Sequence, residues 1–166
     1  IPVLSDITHT PGILYDSMKG SDVTVSSTCK IGDVVIDGTT KLQDQDSYLL
    51  AGTNNYVVEF TSEPHDEYGE SFTVEGTISL TVEHNDVSSI DITTQPTKTT
   101  YTYGESFDKT GLVVTAHYLD GTTQNVTDYV TFEGDIVPSN NTIVVKYTRD
   151  NVTVTENITI SVSKAT

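Results

Sequence analysis

Tryptophan is absent from this 166-residue chain, and there is one cysteine and one methionine. With Cys29 alone, no internal disulfide can form and no cysteine-based metal site can be built. Cys29 lies in the strand-like stretch SSTCKIG, where a buried small hydrophobe is the expected state. Positive charge is also scarce: 8 Lys and Arg face 24 Asp and Glu, a formal charge of −16. Such a surface repels phosphate backbones and anionic lipid, so neither nucleic acid nor a membrane is expected as a partner. No apolar run approaches transmembrane length and no signal peptide is visible. The chain begins at Ile1 rather than Met, so it is expected to be processed or excised from something longer.

Ser, Thr and Val are abundant. β-Branched side chains pack well on a pleated surface, and no segment sustains a helical period. FTVEGTISLTV places Phe72, Val74, Ile78, Leu80 and Val82 on one face, with Thr73, Glu75, Thr77, Ser79 and Thr81 on the other. VTVTENITISV repeats the pattern with Val152, Val154, Ile158, Ile160 and Val162 inward. A period of two with one wet face predicts antiparallel sheets packed face to face.

The halves echo each other. Asp37-Gly38-Thr39-Thr40 returns as Asp120-Gly121-Thr122-Thr123, 83 positions later, and Gly after Asp predicts a hairpin at both. Tyr56–Phe60 (YVVEF) answers Ile143–Tyr147 (IVVKY), and each half ends on its alternating strand. Two units of one architecture follow, 1–84 and 85–166, joined end to end by a very short linker around His84–Val87. YGESF also occurs twice, at 68–72 and 103–107, but its spacing does not match the 83-residue offset. It is read as a turn phrase, with Gly in the bend and Phe entering the core as the next strand begins.

The second unit resembles the bacterial Ig-like domain of the group 3 type. Pro96, Tyr101, Gly104, Phe107, Gly111-Leu112, Val114, Ala116, Tyr118, Asp120-Gly121, Val126, Val144 and Tyr147 carry the resemblance. The first unit looks like a more distant bacterial surface cousin. The fold expected is therefore all-β, two tandem immunoglobulin-like antiparallel β-sandwiches. The resemblance implies a non-catalytic spacer or adhesive module of a bacterial extracellular or cell-surface protein. Its partners would be neighbouring domains of a longer chain or assembly, or a cell-surface protein or glycan. The alternatives are a phage virion protein with projecting Ig-like domains, or a filament subunit whose IPVLSDITHT strand completes a neighbour's sheet.

No catalytic, cofactor or metal residues are assigned. EPHDE, Glu63–Glu67, gathers three carboxylates and a histidine and could hold Ca²⁺, but the spacing favours a solvated hairpin tip. His9, His65, His84 and His117 are scattered, and no nucleophile elbow is present. Lys98, Lys109 and Lys146 are the candidates for an isopeptide cross-link, which needs a buried Lys beside a carboxylate; solvated lysines are expected. Sequons at Asn125, Asn140, Asn151 and Asn157 are attributed to chance in a Thr-rich chain. Tyr101, Tyr103 and Tyr118 would be the candidates for a sugar-stacking platform, a weak alternative to packing.

Overall fold

The computed structural model describes residues 1–67 and 69–165. The chain divides into two compact units, Ile1–Asn85 and Asp86–Thr166, and both are all-β sandwiches of the immunoglobulin-like kind. Asn85 goes with the first unit because its N–H donates to Asp16 Oδ1 at 2.9 Å and its side chain is buried.

In the first unit the strands are β1 (Pro2–Thr10), β2 (Leu14–Tyr15), β3 (Thr24–Ile31), β4 (Val34–Ile36), β5 (Gly38–Leu42), β6 (Gly52–Ser62) and β7 (Thr73–Glu83). One sheet has the order β1-β3-β4, the other β2-β7-β6-β5. Strand β7 runs antiparallel to β6, from Gly52 opposite Val82 to Thr61 opposite Thr73. Its predicted alternation holds: Ile78, Leu80 and Val82 are buried while Thr77, Ser79 and Thr81 are exposed. With Leu14, Val25, Leu42 and Val58 they fill the space between the sheets. Cys29 packs with Ile36 and Phe60 at 1% exposure, and burial pushes its thiol pKa up, away from reactivity.

The second unit has β8 (Val87–Thr94), β9 (Thr100–Thr102), β10 (Val113–Tyr118), β11 (Thr123–Asn125), β12 (Thr131–Glu133), β13 (Thr142–Arg149), β14 (Val152–Thr159) and β15 (Ser161–Ser163). Its pairing follows that of the first unit, with β14 and β15 in the place of β7: β11-β10-β8 in one sheet, β12-β13-β14 in the other, with β15 on β9. The predicted final strand is divided. At Ile160 the backbone turns from one neighbour to another: Ile160 N–H donates to Asn141 O, and Ser161 N–H to Thr99 O.

Each sandwich also contains one short parallel pair, β2 with β7 and β9 with β15. In both cases the first strand ends near a proline, Pro11 or Pro96, and the chain crosses to the opposite sheet. Proline has no N–H to give to a ladder, so the ladder stops there.

The two DGTT tetrapeptides are not equivalent. Asp120-Gly121 makes the predicted hairpin between β10 and β11: Gly121 has φ +87°, and Thr122 N–H donates to Asp120 Oδ1 at 2.8 Å. Asp37-Gly38 makes no hairpin. It is the step where the chain leaves the sheet of β4 and joins the sheet of β5. The hairpin of that region is Gly32-Asp33, with Gly32 at φ +60°. Gly38 is required for a different reason: a Cβ there would lie 2.3 Å from the Thr61 carbonyl oxygen and 2.5 Å from the Phe60 ring.

YGESF divides too. Tyr68 lies outside the described residues, but Phe72 leads directly into β7 as expected. In the second copy Gly104 has φ +97° and Phe107 packs against Phe132, ring centroids 5.0 Å apart. No strand begins there, however; β10 starts at Val113.

Tyrosine takes the large-aromatic role that tryptophan leaves open. Tyr101 is 1% exposed; its hydroxyl donates to Lys98 O at 3.2 Å and accepts from Asp108 N–H at 3.0 Å. Tyr118 and Tyr147 bring their hydroxyls to 3.1 Å, Tyr118 donates to Gln124 Oε1, and Arg149 covers the Tyr118 ring at 4.7 Å. Burial, then the hydrogen bond to Tyr118, push the Tyr147 phenol up to about 12.

Two expectations follow from these contacts. Gly38→Ala should destabilise the first unit by about 3 kcal/mol through overpacking. Gly121→Ala should cost about 1–2 kcal/mol from left-handed strain. Asn should rescue position 121 and worsen position 38, because it relieves strain but not crowding; urea titration of each variant reads both. The Tyr147 phenol keeps its proton in the fold where an unfolded tyrosine, with a pKa of ~10, would release it. Its contribution is therefore complete below pH ~10 and is lost as pH rises toward 12, on the order of 2 kcal/mol. Urea unfolding of the native chain across that window should show the decline, and Tyr147→Phe should flatten it.

Candidate functional site

The Glu63–Glu67 loop leaves β6 and folds back tightly. Glu63 N–H donates to Asp37 O at 2.8 Å, and His65 and Gly69 exchange both backbone hydrogen bonds. Glu67 N–H donates to His65 Nδ1 at 3.0 Å, so that nitrogen acts as the acceptor. Between the loop and β4 runs a groove of about 170 Å³ whose carboxylates are Asp37, Glu63 and Glu67. Among the described residues no three His, Cys, Asp or Glu side chains converge to hold a metal ion. The loop's carboxylates border a groove; they do not form a cage.

The remaining histidines are held in surface contacts. His9 Nδ1 lies 2.9 Å from Pro11 O. His84 Nδ1 meets Asp16 Oδ2, while the other oxygen of that carboxylate accepts Asn85 N–H. His117 Nε2 reaches Asp91 at 2.6 Å across β10 and β8, with Asp91 61% exposed. A carboxylate-oriented imidazole is two-thirds of a hydrolytic triad. Neither pair, however, lines the groove or the second cavity described below.

None of the three candidate lysines is buried. Lys98 is paired with Glu105, Lys146 reaches Glu133 at 2.7 Å, and Lys109 is exposed. The sequon asparagines divide by role. Asn125 Oδ1 accepts from Thr127 N–H and Oγ1, closing a turn. Asn140 Nδ2 donates to Asp135 O and Thr142 O, which makes it a loop brace. Asn151 sits at φ +65° in the Asp150-Asn151 turn of the β13–β14 hairpin, and Asn157 lies exposed on β14. The tyrosine platform is not formed. Tyr101 and Tyr118 are buried, leaving only Tyr103 of the three exposed.

A cavity of about 210 Å³ lies beside the loop after β5, among Asp44, Tyr48, Leu50 and Tyr56. The loop is held firmly. Asp44 Oδ1 accepts Asp46 and Ser47 N–H, Leu50 N–H donates to Tyr56 OH at 3.0 Å, and Leu49 N–H donates to Met18 O. Hydrogen bonds from Ser47 and Asp46 hold the Asp44 carboxyl below the usual carboxylate range. The run SYLL, with Leu49 buried between exposed Tyr48 and Leu50, is the sequence signal for this cleft. The two valines of GDVVI mark the groove edge, which alternation alone does not distinguish from a covered strand.

Both cavities fall below the ~300–1,000 Å³ of typical small-molecule sites. No helix among the described residues is long and apolar enough to cross a membrane. No curated protein matches the chain. The group 3 bacterial Ig-like family is generally non-catalytic and commonly found in extracellular or surface proteins. Residues 94–162, most of the second unit, match the model of that family and are similar to the bacterial Ig-like domain (group 3).

Proposed function

We propose that this chain is a non-catalytic structural and adhesive module, a tandem Ig-like spacer of a bacterial extracellular or cell-surface protein. The family match over residues 94–162 carries the reading. The first unit supports it by repeating the strand pairing of the second. The filament alternative is disfavoured by β1, which is already paired with β3 from Pro2 opposite Ile31 to Thr10 opposite Thr24. Donating it to a neighbour would first break that ladder.

Spacers carry load, and the parallel pairs are suited to bearing it. A pull on the chain ends drags the two members of a parallel pair in opposite directions along their length. Their hydrogen bonds are then strained together, not one after another. The β9–β15 pair is the longer, with Ser161 N–H to Thr99 O and Tyr103 N–H to Ser163 O extending it at both ends. The β2–β7 pair has two residue pairs, extended by Asp16 N–H to Glu83 O.

Single-molecule pulling should therefore show two unfolding steps, the first unit yielding at the lower force. Equal forces would count against load-bearing by these pairs. For location, immunogold labelling of cells encoding the chain should decorate the cell surface. Label confined to released phage particles would assign the module to a virion instead.

A further inference from the structure

We infer that the open edge of β4 and the groove beside it form a docking site for an extended, lysine- or arginine-bearing segment of a partner protein, taken up as an added strand. This goes beyond the spacer reading and holds wherever the module is displayed. Strand β4 is hydrogen-bonded to β3 on one side and ends its sheet on the other. Proteins normally blunt such edges with polar or charged side chains. The second unit does so: β11, the strand in the corresponding place, carries Thr123, Gln124 and Asn125, all exposed. In the first unit the same edge carries Val34 and Val35, 49% and 57% exposed.

The groove alongside supplies the selectivity. Val34, Val35 and Pro64 provide apolar lining, and Asp37, Glu63 and Glu67 provide negative charge. Among the described residues no Lys or Arg lines it. Lys30, opposite Val35 on β3, lies on the paired side of β4 and is not part of the lining. An extended peptide added to an edge gains backbone hydrogen bonds, while its alternate side chains reach the neighbouring surface. Basic side chains would meet the carboxylates and apolar ones the valines. Residues 1–85 hold 14 of the 24 carboxylates against 3 lysines. Pairing β4 with β4 of a second copy would bring two such acidic walls together, so like-charge repulsion selects against self-association here.

The test uses the whole chain and a fluorescein-labelled Lys-Val-Lys-Val-Lys-Val peptide, followed by anisotropy. Saturable binding is expected, with NMR shift changes centred on Val34–Asp37 and Glu63–Glu67. Affinity should fall by about tenfold or more in Glu63→Gln/Glu67→Gln and in Val35→Lys, all exposed positions that leave the core untouched. Raising NaCl from about 50 to about 300 mM should weaken it further. Two further peptides are N-methylated, one on the lysines and one on the valines, which removes donors but keeps charge. One of them, the one whose missing N–H groups face β4, should lose binding while the other retains it. Four results would each overturn the inference: no binding, equal binding of both N-methylated peptides, shifts mapping elsewhere, or dimerisation through β4. Equal binding of the N-methylated forms would reduce the contact to charge attraction alone.

Discussion

The closing segment of each unit pairs with two partner strands, and the rest of the sandwich depends on that double pairing. In the first unit β7 lies between β6, antiparallel, and β2, parallel. A strand in that position cannot slide. Moving it by one residue would send Ile78, Leu80 and Val82 to the solvent and Thr77, Ser79 and Thr81 into the core. The second unit meets the same constraint with two strands in place of one. There β14 pairs with β13, and β15, after the bend at Ile160, pairs with β9. Both solutions tie an early strand to the last one, so contacts distant in sequence close the fold. The chain's β-branched composition suits this arrangement, because its faces are set by alternation.

Alternation is therefore the most legible feature of the sequence, and turn chemistry is legible only in part. The inward faces of β7 and β14 follow from the period of two. The DGTT repeat does not reveal its own meaning: one copy needs glycine for a left-handed φ, the other for lack of a Cβ. Sequence shows the residue and conceals which of its two properties is used. Pro11 and Pro96 are better markers of correspondence, since each lies where the first strand gives way to a crossing to the opposite sheet. Asp150-Asn151 lacks the glycine that marks a hairpin, yet both residues have positive φ, and Asn and Asp tolerate that region.

The surface is less legible than the core. Burial separates the tyrosines: Tyr101 and Tyr118 are core residues bound through their hydroxyls, while Tyr103 and Tyr48 face solvent. Nothing in the local sequence around Tyr118 announces Tyr147 as its partner, because the contact joins separate strands. The same applies to His84 with Asp16, 68 positions apart in sequence. Residue types suited to chemistry are present throughout, but strand geometry assigns them to pairs, caps and braces.

A sandwich that fills its interior leaves its edges and loops to do the recognising. The cores of both units are closed by side chains, so specificity must come from what the rims expose. There the two units differ in charge more than in shape. In the second unit Lys98 meets Glu105, Lys146 meets Glu133 beside the β12 edge, and Arg149 covers Tyr118, so several of its cations sit in local contacts. In the first unit three lysines cannot balance the carboxylates, and the excess includes those beside β4. One architecture thus presents at β11 an edge that is polar and uncharged, and at β4 one that is apolar and acid-walled. Exposed valines on an unpaired edge would invite indiscriminate aggregation; a rim of like charge restricts what can approach to segments of opposite sign.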